Sequence, residues 1–245
     1  MKRFFPICML ILLGCTRTNS PELNIAIASN CKWAMEEISD SFREEYGVKC
    51  NLISASSGKL TSQIREGAPY DLFFSADMIY PQQLFREGLV SEPPRVYALG
   101  KLVLWTAEEH TIPNPDSLSR DHIRRIAVAN PKNAPYGRAA MEVLENYEDI
   151  SGKLVFAENV SQVSQFVFSG NAEVGFTSKS IVLTPEFRKL GRWVDIDPDR
   201  YTPLEQGVVI LTGDSENARL FFKYVFSEKS RKILNDYGYM TLNEQ

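Results

Sequence analysis

Histidine, cysteine and excess positive charge are what this 245-residue chain has least of, and each shortage narrows what it can do. It carries two histidines, His110 and His122, both in the polar stretch between Thr106 and Arg124. Neither stands at metal-ligand spacing from a cysteine or from the other, so no bound metal cation is expected. With 27 Lys and Arg against 31 Asp and Glu, the formal charge is -4, which lacks the basic footprint of a nucleic-acid binder. The one conspicuous apolar stretch, Phe4–Leu13, is interrupted by Pro6 and is too short to cross a bilayer as a helix. The remainder, 44% hydrophobic and 24% charged, is ordinary globular composition with length for one large domain or two modest ones.

That apolar stretch follows Lys2 and Arg3 and leads into Gly14-Cys15, the layout of an export signal. Leu12-Leu13-Gly14-Cys15 resembles a bacterial lipobox, which implies a lipoprotein signal peptide over residues 1–14, acylation of Cys15 and a polar tether over residues 15–22. A plain secretory peptide cut nearby is the alternative. Either way the product is exported, periplasmic or on the cell surface. Only Cys31 and Cys50 then remain in the mature chain. A helix opening near Cys31 and a parallel strand opening near Cys50 put them at opposite ends of one layer, beyond disulfide reach, so two free thiols are expected.

Short apolar strands alternate with amphipathic helices along the mature chain. Leu23–Ala28 reads as a strand, and Ala34, Met35, Ile38 and Phe42 line one face of the helix that Gly47 stops. Cys50–Ala55, Leu60–Arg65, Asp71–Ser75 and Gln82–Glu87 continue the alternation. A second series runs through Lys101–Thr106, Arg124–Ala129, Arg138–Tyr147, Leu154–Ala157, Val160–Phe168 and Val174–Thr177. A late strand at Gly207–Thr212 and helices at Glu216–Phe226 and Ser230–Tyr237 follow. The class is α/β: two units, each a mostly parallel sheet flanked by helices, with a cleft between them. Ligands favour such interfaces and the carboxyl ends of strands.

Four strand-to-helix junctions concentrate small and hydroxyl residues: Ala28-Ser29-Asn30-Cys31, Ser54-Ala55-Ser56-Ser57-Gly58, Asn133-Ala134-Pro135-Tyr136-Gly137 and Glu158-Asn159-Val160. Each can aim free backbone N–H groups at an anion, and together they can wrap one small oxyanion. Taken singly, each Ser or Asn reads equally as a helix cap. Glu158 is the sole carboxylate in these four segments, so little is at hand to accept a proton from a protonated anion, which favours a fully ionised one held by neutral donors. Lys32, Lys59, Arg138 and Lys179 stand nearby, either focusing anions at the mouth or simply solvated on helix faces. Asp77 reads as a cap for the helix that contains Pro81 rather than as a catalytic or metal-binding carboxylate.

The order Ala28-Ser29-Asn30, Ser56-Ser57-Gly58-Lys59-Leu60 and Gly67-Ala68-Pro69-Tyr70-Asp71-Leu72-Phe73-Phe74-Ser75-Ala76-Asp77 resembles the periplasmic molybdate-binding protein family of ABC transporters. The likeness continues through Ala134-Pro135-Tyr136-Gly137, Glu158-Asn159-Val160 and Gly170–Phe176, and covers nearly the whole mature chain. It implies a two-lobed periplasmic-binding-protein fold of type II, with lobe 1 at residues 23–98 and 207–245 and lobe 2 at residues 99–206. It also implies a ligand, molybdate or tungstate, with no cofactor, and delivery to the membrane permease of an ABC importer by a monomer. By the resemblance the donors are Ser29, Asn30, Ser57 and Ser56 from lobe 1, and Tyr136 and the Val160 backbone from lobe 2. Where many members place a further tyrosine, this chain has Ser178.

Two other readings compete. One keeps the fold and changes the ligand to sulfate or another tetrahedral oxyanion, or the destination to a signalling sensor. The other is a secreted serine hydrolase using Ser57 or Ser29, which needs a base and an orienting group that no Gly-x-Ser-x-Gly elbow announces.

Overall fold

Leu23, Ile25 and Ile27 alternate with Ala26, and this period-two pattern builds a strand buried on both faces, β1 (Glu22–Ala28). The odd positions pack on the helix α1 (Lys32–Tyr46), while Ala26 joins a separate apolar layer on the opposite face. Ala34, Met35, Ile38 and Phe42 supply the buried stripe of α1. The helix stops at Gly47, whose φ of 72° lets its N–H cap the Arg43 carbonyl. The computed structural model describes residues 22–108, 113–211 and 215–241. The expected signal segment, Cys8, Cys15 and His110 lie outside the described residues.

After α1 come β2 (Lys49–Ala55), α2 (Ser57–Arg65), β3 (Leu72–Ser75), α3 (Ile79–Arg86) and β4 (Arg95–Gly100). Lobe 2 follows with β5 (Leu102–Thr106), β6 (Ile126–Ala129), α4 (Pro135–Leu144), β7 (Leu154–Ala157), α5 (Val160–Phe168), β8 (Val174–Ser178), α6 (Lys179–Val182) and β9 (Arg192–Asp195). The chain returns to lobe 1 through β10 (Leu204–Ile210), α7 (Glu216–Val225) and α8 (Glu228–Asp236). The sheets are ordered β2-β1-β3-β10-β4 and β7-β6-β8-β5-β9. The chain therefore changes sheet at Lys101 and again between Asp195 and Leu204.

Each sheet was expected to be mostly parallel, and four of its five strands do run one way; a single reversed strand, β10 or β5, makes it mixed. The β2-β1-β3 and β7-β6-β8 sides are parallel, whereas β10 is antiparallel to β3 and β4, and β5 is antiparallel to β8 and β9. The cause is the crossing: β5 and β10 each enter a lobe from the interlobe side, where the parallel strands end, and so run the other way. β4 is absent from the sequence reading because β4 and β5 merge into one apolar run broken only at Gly100-Lys101, and β9 and α6 are absent because four residues each are too few to show a period.

Trp105, fully buried, centres the lobe 2 core and donates from Nε1 to the Leu190 carbonyl at 3.2 Å. Trp33 on α1 packs across onto that same core, edge-on to Phe187 with centroids 6.5 Å apart.

Cys31 and Cys50 are both free, as expected. Register pairs Cys50 with Leu23 at the start of β1, while Cys31 lies beyond its far end. Burial pushes the Cys31 thiol up to about 12 and the Cys50 thiol up to about 11. Raised values keep the thiolate scarce, so at about pH 8 Cys50 should alkylate roughly a hundredfold and Cys31 roughly a thousandfold more slowly than a cysteine in an unfolded peptide. Peptide mapping after timed iodoacetamide exposure, native against urea-unfolded, measures this.

Candidate functional site

Four helix starts converge where the parallel strands of both lobes end. The Ser29–Cys31 turn follows β1 and α2 follows β2, while across the gap α4 follows β6 and α5 follows β7. Together with Ala76 after β3 they enclose a cavity lined by Ser29, Asn30, Ser56 and Ser57 from lobe 1 and by Ala134, Tyr136 and Val160 from lobe 2. About 10 Å³ is open to the centre of a water-sized sphere, space for one compact occupant and none for an organic chain. The first-turn N–H groups of these helices have no partner within their own helices. They give the cavity a ring of fixed positive dipole ends.

The hydroxyls distinguish a ligand site from a set of caps. Ser56 occupies the N-cap position of α2 but makes no capping bond, and its buried Oγ has no hydrogen-bond partner. The Tyr136 hydroxyl, buried with its ring, is likewise unpartnered. Burial pushes that phenol well above its ordinary range, so it stays a donor at any physiological pH. Ser57 Oγ accepts the Ala76 N–H at 3.0 Å, which leaves its own proton to point elsewhere. Asn159 alone among these residues caps its helix with its side chain, accepting the Gln162 N–H at 3.1 Å.

Two expected donors sit differently. The Asn30 side chain spends both N–H bonds inside lobe 1, on Gln206 Oε1 at 2.8 Å and on the Tyr239 hydroxyl at 2.7 Å. Only its backbone N–H remains for the cavity. Ser178 is fully buried but is not among the lining residues; its hydroxyl meets Ser180 Oγ at 2.9 Å. Ser180 in turn donates across the lobes to the Asn30 carbonyl at 2.7 Å and accepts from Tyr239. Ser178 therefore buttresses the first loop from behind.

The lobes touch directly around the mouth. The Gly58 N–H donates to the Asn133 carbonyl at 2.9 Å, and Ser161 Oγ donates to the Ser29 carbonyl at 3.0 Å. The four nearby cations are not free steering charges: Lys59 pairs with Glu158 at 2.5 Å, Lys179 with Asp195 at 2.6 Å and Lys32 with Glu36 at 3.8 Å. Arg138 pairs with Asp77 and lies over the Tyr80 ring, 5.3 Å from its centroid. Asp77 does serve the start of α3, accepting the Tyr80 N–H at 3.4 Å, while its other oxygen faces Arg138 across the cleft. Burial holds its carboxyl above the usual range despite that arginine.

Sequence reasoning missed Gln206, Tyr239 and Ala76. Gln206 is fully buried and donates to the Ala76 carbonyl at 3.0 Å. A lone polar residue at the start of the apolar run Gly207–Ile210 was the signal available, since a buried amide needs partners.

Two α/β lobes meeting over a small cavity of neutral donors define an extracellular solute-binding protein that surrounds its ligand. The model of the bacterial extracellular solute-binding protein family matches residues 23–240. The chain belongs to this family and, within it, to the molybdate-binding proteins, being 34% identical to molybdate-binding protein ModA of Azotobacter vinelandii over 93% of each chain. The molybdate-binding protein ModA of Rhodobacter capsulatus is also 34% identical, over 90% of this chain and 88% of its own. The solved periplasmic molybdate-binding protein of Azotobacter vinelandii superposes with a TM-score of 0.85 at 30% identity, covering 90% of this chain and all of the other.

Gly58 tests the closed arrangement. A Cβ there would meet Tyr80 Oη at 2.7 Å and Asn133 Cα at 2.9 Å, the latter on the opposite lobe. Alanine suits a helix start better than glycine, so Gly58→Ala should melt no lower than the native protein without ligand. It should nevertheless bind the ligand at least about tenfold more weakly, because contact between the lobes is obstructed. Calorimetric titration beside a ligand-free melt reads both.

Proposed function

We propose that this protein captures molybdate or tungstate outside the cytoplasm and hands it to the permease of an ABC importer. The observation that carries the reading is the pair of unpartnered, buried hydroxyls, Ser56 Oγ and Tyr136 Oη, on two residues that line one small cavity with no cationic side chain among its lining residues. Buried polar groups lacking partners cost about 1–3 kcal/mol each, and an oxyanion of four acceptor atoms repays them. The donor set is Ser29, Ser56 and Ser57 with the backbone of Asn30 from lobe 1, and Tyr136 with the Val160 N–H from lobe 2. Because the donors are neutral and nothing in the lining is a carboxylate, an anion that keeps a proton finds no acceptor for it. The binding properties named for relatives at 34% identity support the choice of molybdate.

The reading is binding without chemistry. Ser57 Oγ meets the Ala76 N–H, and among the described residues no imidazole or carboxylate bonds to it, as a nucleophile would require. His122 lines a different cavity in lobe 2, near Glu108 and Glu173. Lobe 1 comprises residues 23–100 and 204–245 and lobe 2 residues 101–203, a few residues from the sequence expectation, because Leu99–Gly100 and Leu204–Gln206 are counted with the lobe 1 strands β4 and β10 that form the connection. The mature protein is held at a bacterial membrane by a lipid on Cys15 and works as a monomer.

A melting panel with molybdate, tungstate, sulfate and phosphate at matched ionic strength tests the ligand. A ligand at a thousand times its Kd adds about 4 kcal/mol of stability. Shifts with molybdate and tungstate alone are expected; a shift with sulfate or phosphate instead replaces the ligand, and no shift at all removes the oxyanion reading. Tyr136→Phe deletes a hydroxyl that has no partner in the empty protein, so the ligand-free melt should not fall. Affinity should drop about tenfold to a hundredfold, the worth of a hydrogen bond to a charged acceptor.

A further inference from the structure

Gln206 lies in β10 just where the chain re-enters lobe 1, at a register shift between Gln206 and Gly207 in the pairing with β4. Such bulges re-aim a side chain out of the regular alternation. Here the amide sits between the two lobe 1 donor loops without lining the cavity itself. Its Oε1 accepts from Asn30 Nδ2 at 2.8 Å, which holds the Ser29–Cys31 turn. Its Nε2 donates to the Leu204 carbonyl at 2.7 Å and to the Ala76 carbonyl at 3.0 Å. Ala76 passes the constraint on across its Cα: its carbonyl is held by Gln206, and its N–H, in the preceding peptide, occupies Ser57 Oγ and thereby leaves the Ser57 proton for the cavity. The side chain must accept once and donate twice at one end, which only a carboxamide does.

We propose that Gln206 is the positioning residue that aims both lobe 1 donor loops at the bound oxyanion, through Asn30 on one side and through Ala76 and Ser57 on the other. The proposal rests on the oxyanion reading of the cavity given above. It assigns Gln206 no contact with the ligand: the residue acts by fixing where the Ser29 and Ser57 groups point before the anion arrives, so that no donor has to be reoriented on binding.

Two substitutions in the full chain test it, with molybdate titrated calorimetrically at about pH 8 and about pH 5.5. Gln206→Glu keeps the shape, but its carboxylate has no proton to give the Ala76 and Leu204 carbonyls. Protonation restores one donor and removes the added charge. Native protein should bind alike at both pH values, while Gln206→Glu should bind at least about thirtyfold more weakly at the higher pH and recover most of that loss at the lower one. A loss of equal size at both pH values would indicate a packing role and overturn the proposal. Gln206→Met, which fills similar volume without charge or hydrogen bonds, should be weaker by about tenfold at both pH values. It decides the matter if the glutamate variant does not fold, and affinity within about twofold of native would sink the proposal. Should native protein bind no oxyanion, it is the cavity reading that has failed.

Discussion

An anion stripped of water and given no cation must find many fixed dipoles pointing at one place, and that demand organises this molecule. Removing a charge from water costs far more than any single neutral hydrogen bond returns. The compensation has to come from several donors already aimed. Parallel strands followed by helices supply them, because each strand end delivers a helix start with unsatisfied N–H groups to the same edge of the sheet. One lobe provides such an edge over only part of a sphere; two lobes facing each other complete it. The antiparallel entry of β5 and β10 follows from the same demand, since the chain must cross beside the cavity and still leave every other strand end facing it.

Neutral lining and charged rim divide the work. The pairs Asp77–Arg138 and Lys59–Glu158 span the lobes around the mouth, yet their environments differ: the Lys59 and Glu158 side chains are 50% and 51% exposed, the Arg138 and Asp77 side chains 29% and 10%. Exposed pairs of the first kind contribute about 0–1 kcal/mol at most. The second pair is shielded and its arginine is shared with Tyr80, but burial of Asp77 offsets the attraction, so its shielding gives orientation more than stability. Keeping these charges engaged with one another, and off the ligand, leaves discrimination to donor geometry.

The helices and central strands were legible because their signals are local. Periodic apolar faces marked α1 and α5, whose bounds match the sequence reading, and Gly47 marked a stop that the left-handed backbone explains. The donor loops were legible as clusters of serine and asparagine before helices. What their side chains do was not, because a serine before a helix looks the same whether it caps or waits. Ser56 and Asn159 occupy equivalent positions and do opposite things. The roles of Asn30, Ser180 and Gln206 depend on partners 176, 150 or 130 residues away in the chain, and no pattern of neighbours encodes such pairings.

The rim pairs are crossed in sign. Lobe 1 offers one negative and one positive group, Asp77 and Lys59, and lobe 2 answers with Arg138 and Glu158. A lobe that swung shut with a twist or a sideways slip would bring Asp77 toward Glu158 and Lys59 toward Arg138, setting like charges against each other. The rim thus works as a polarity key: it favours one registry of the two halves, the one in which Tyr136 and Val160 come to rest opposite the serines.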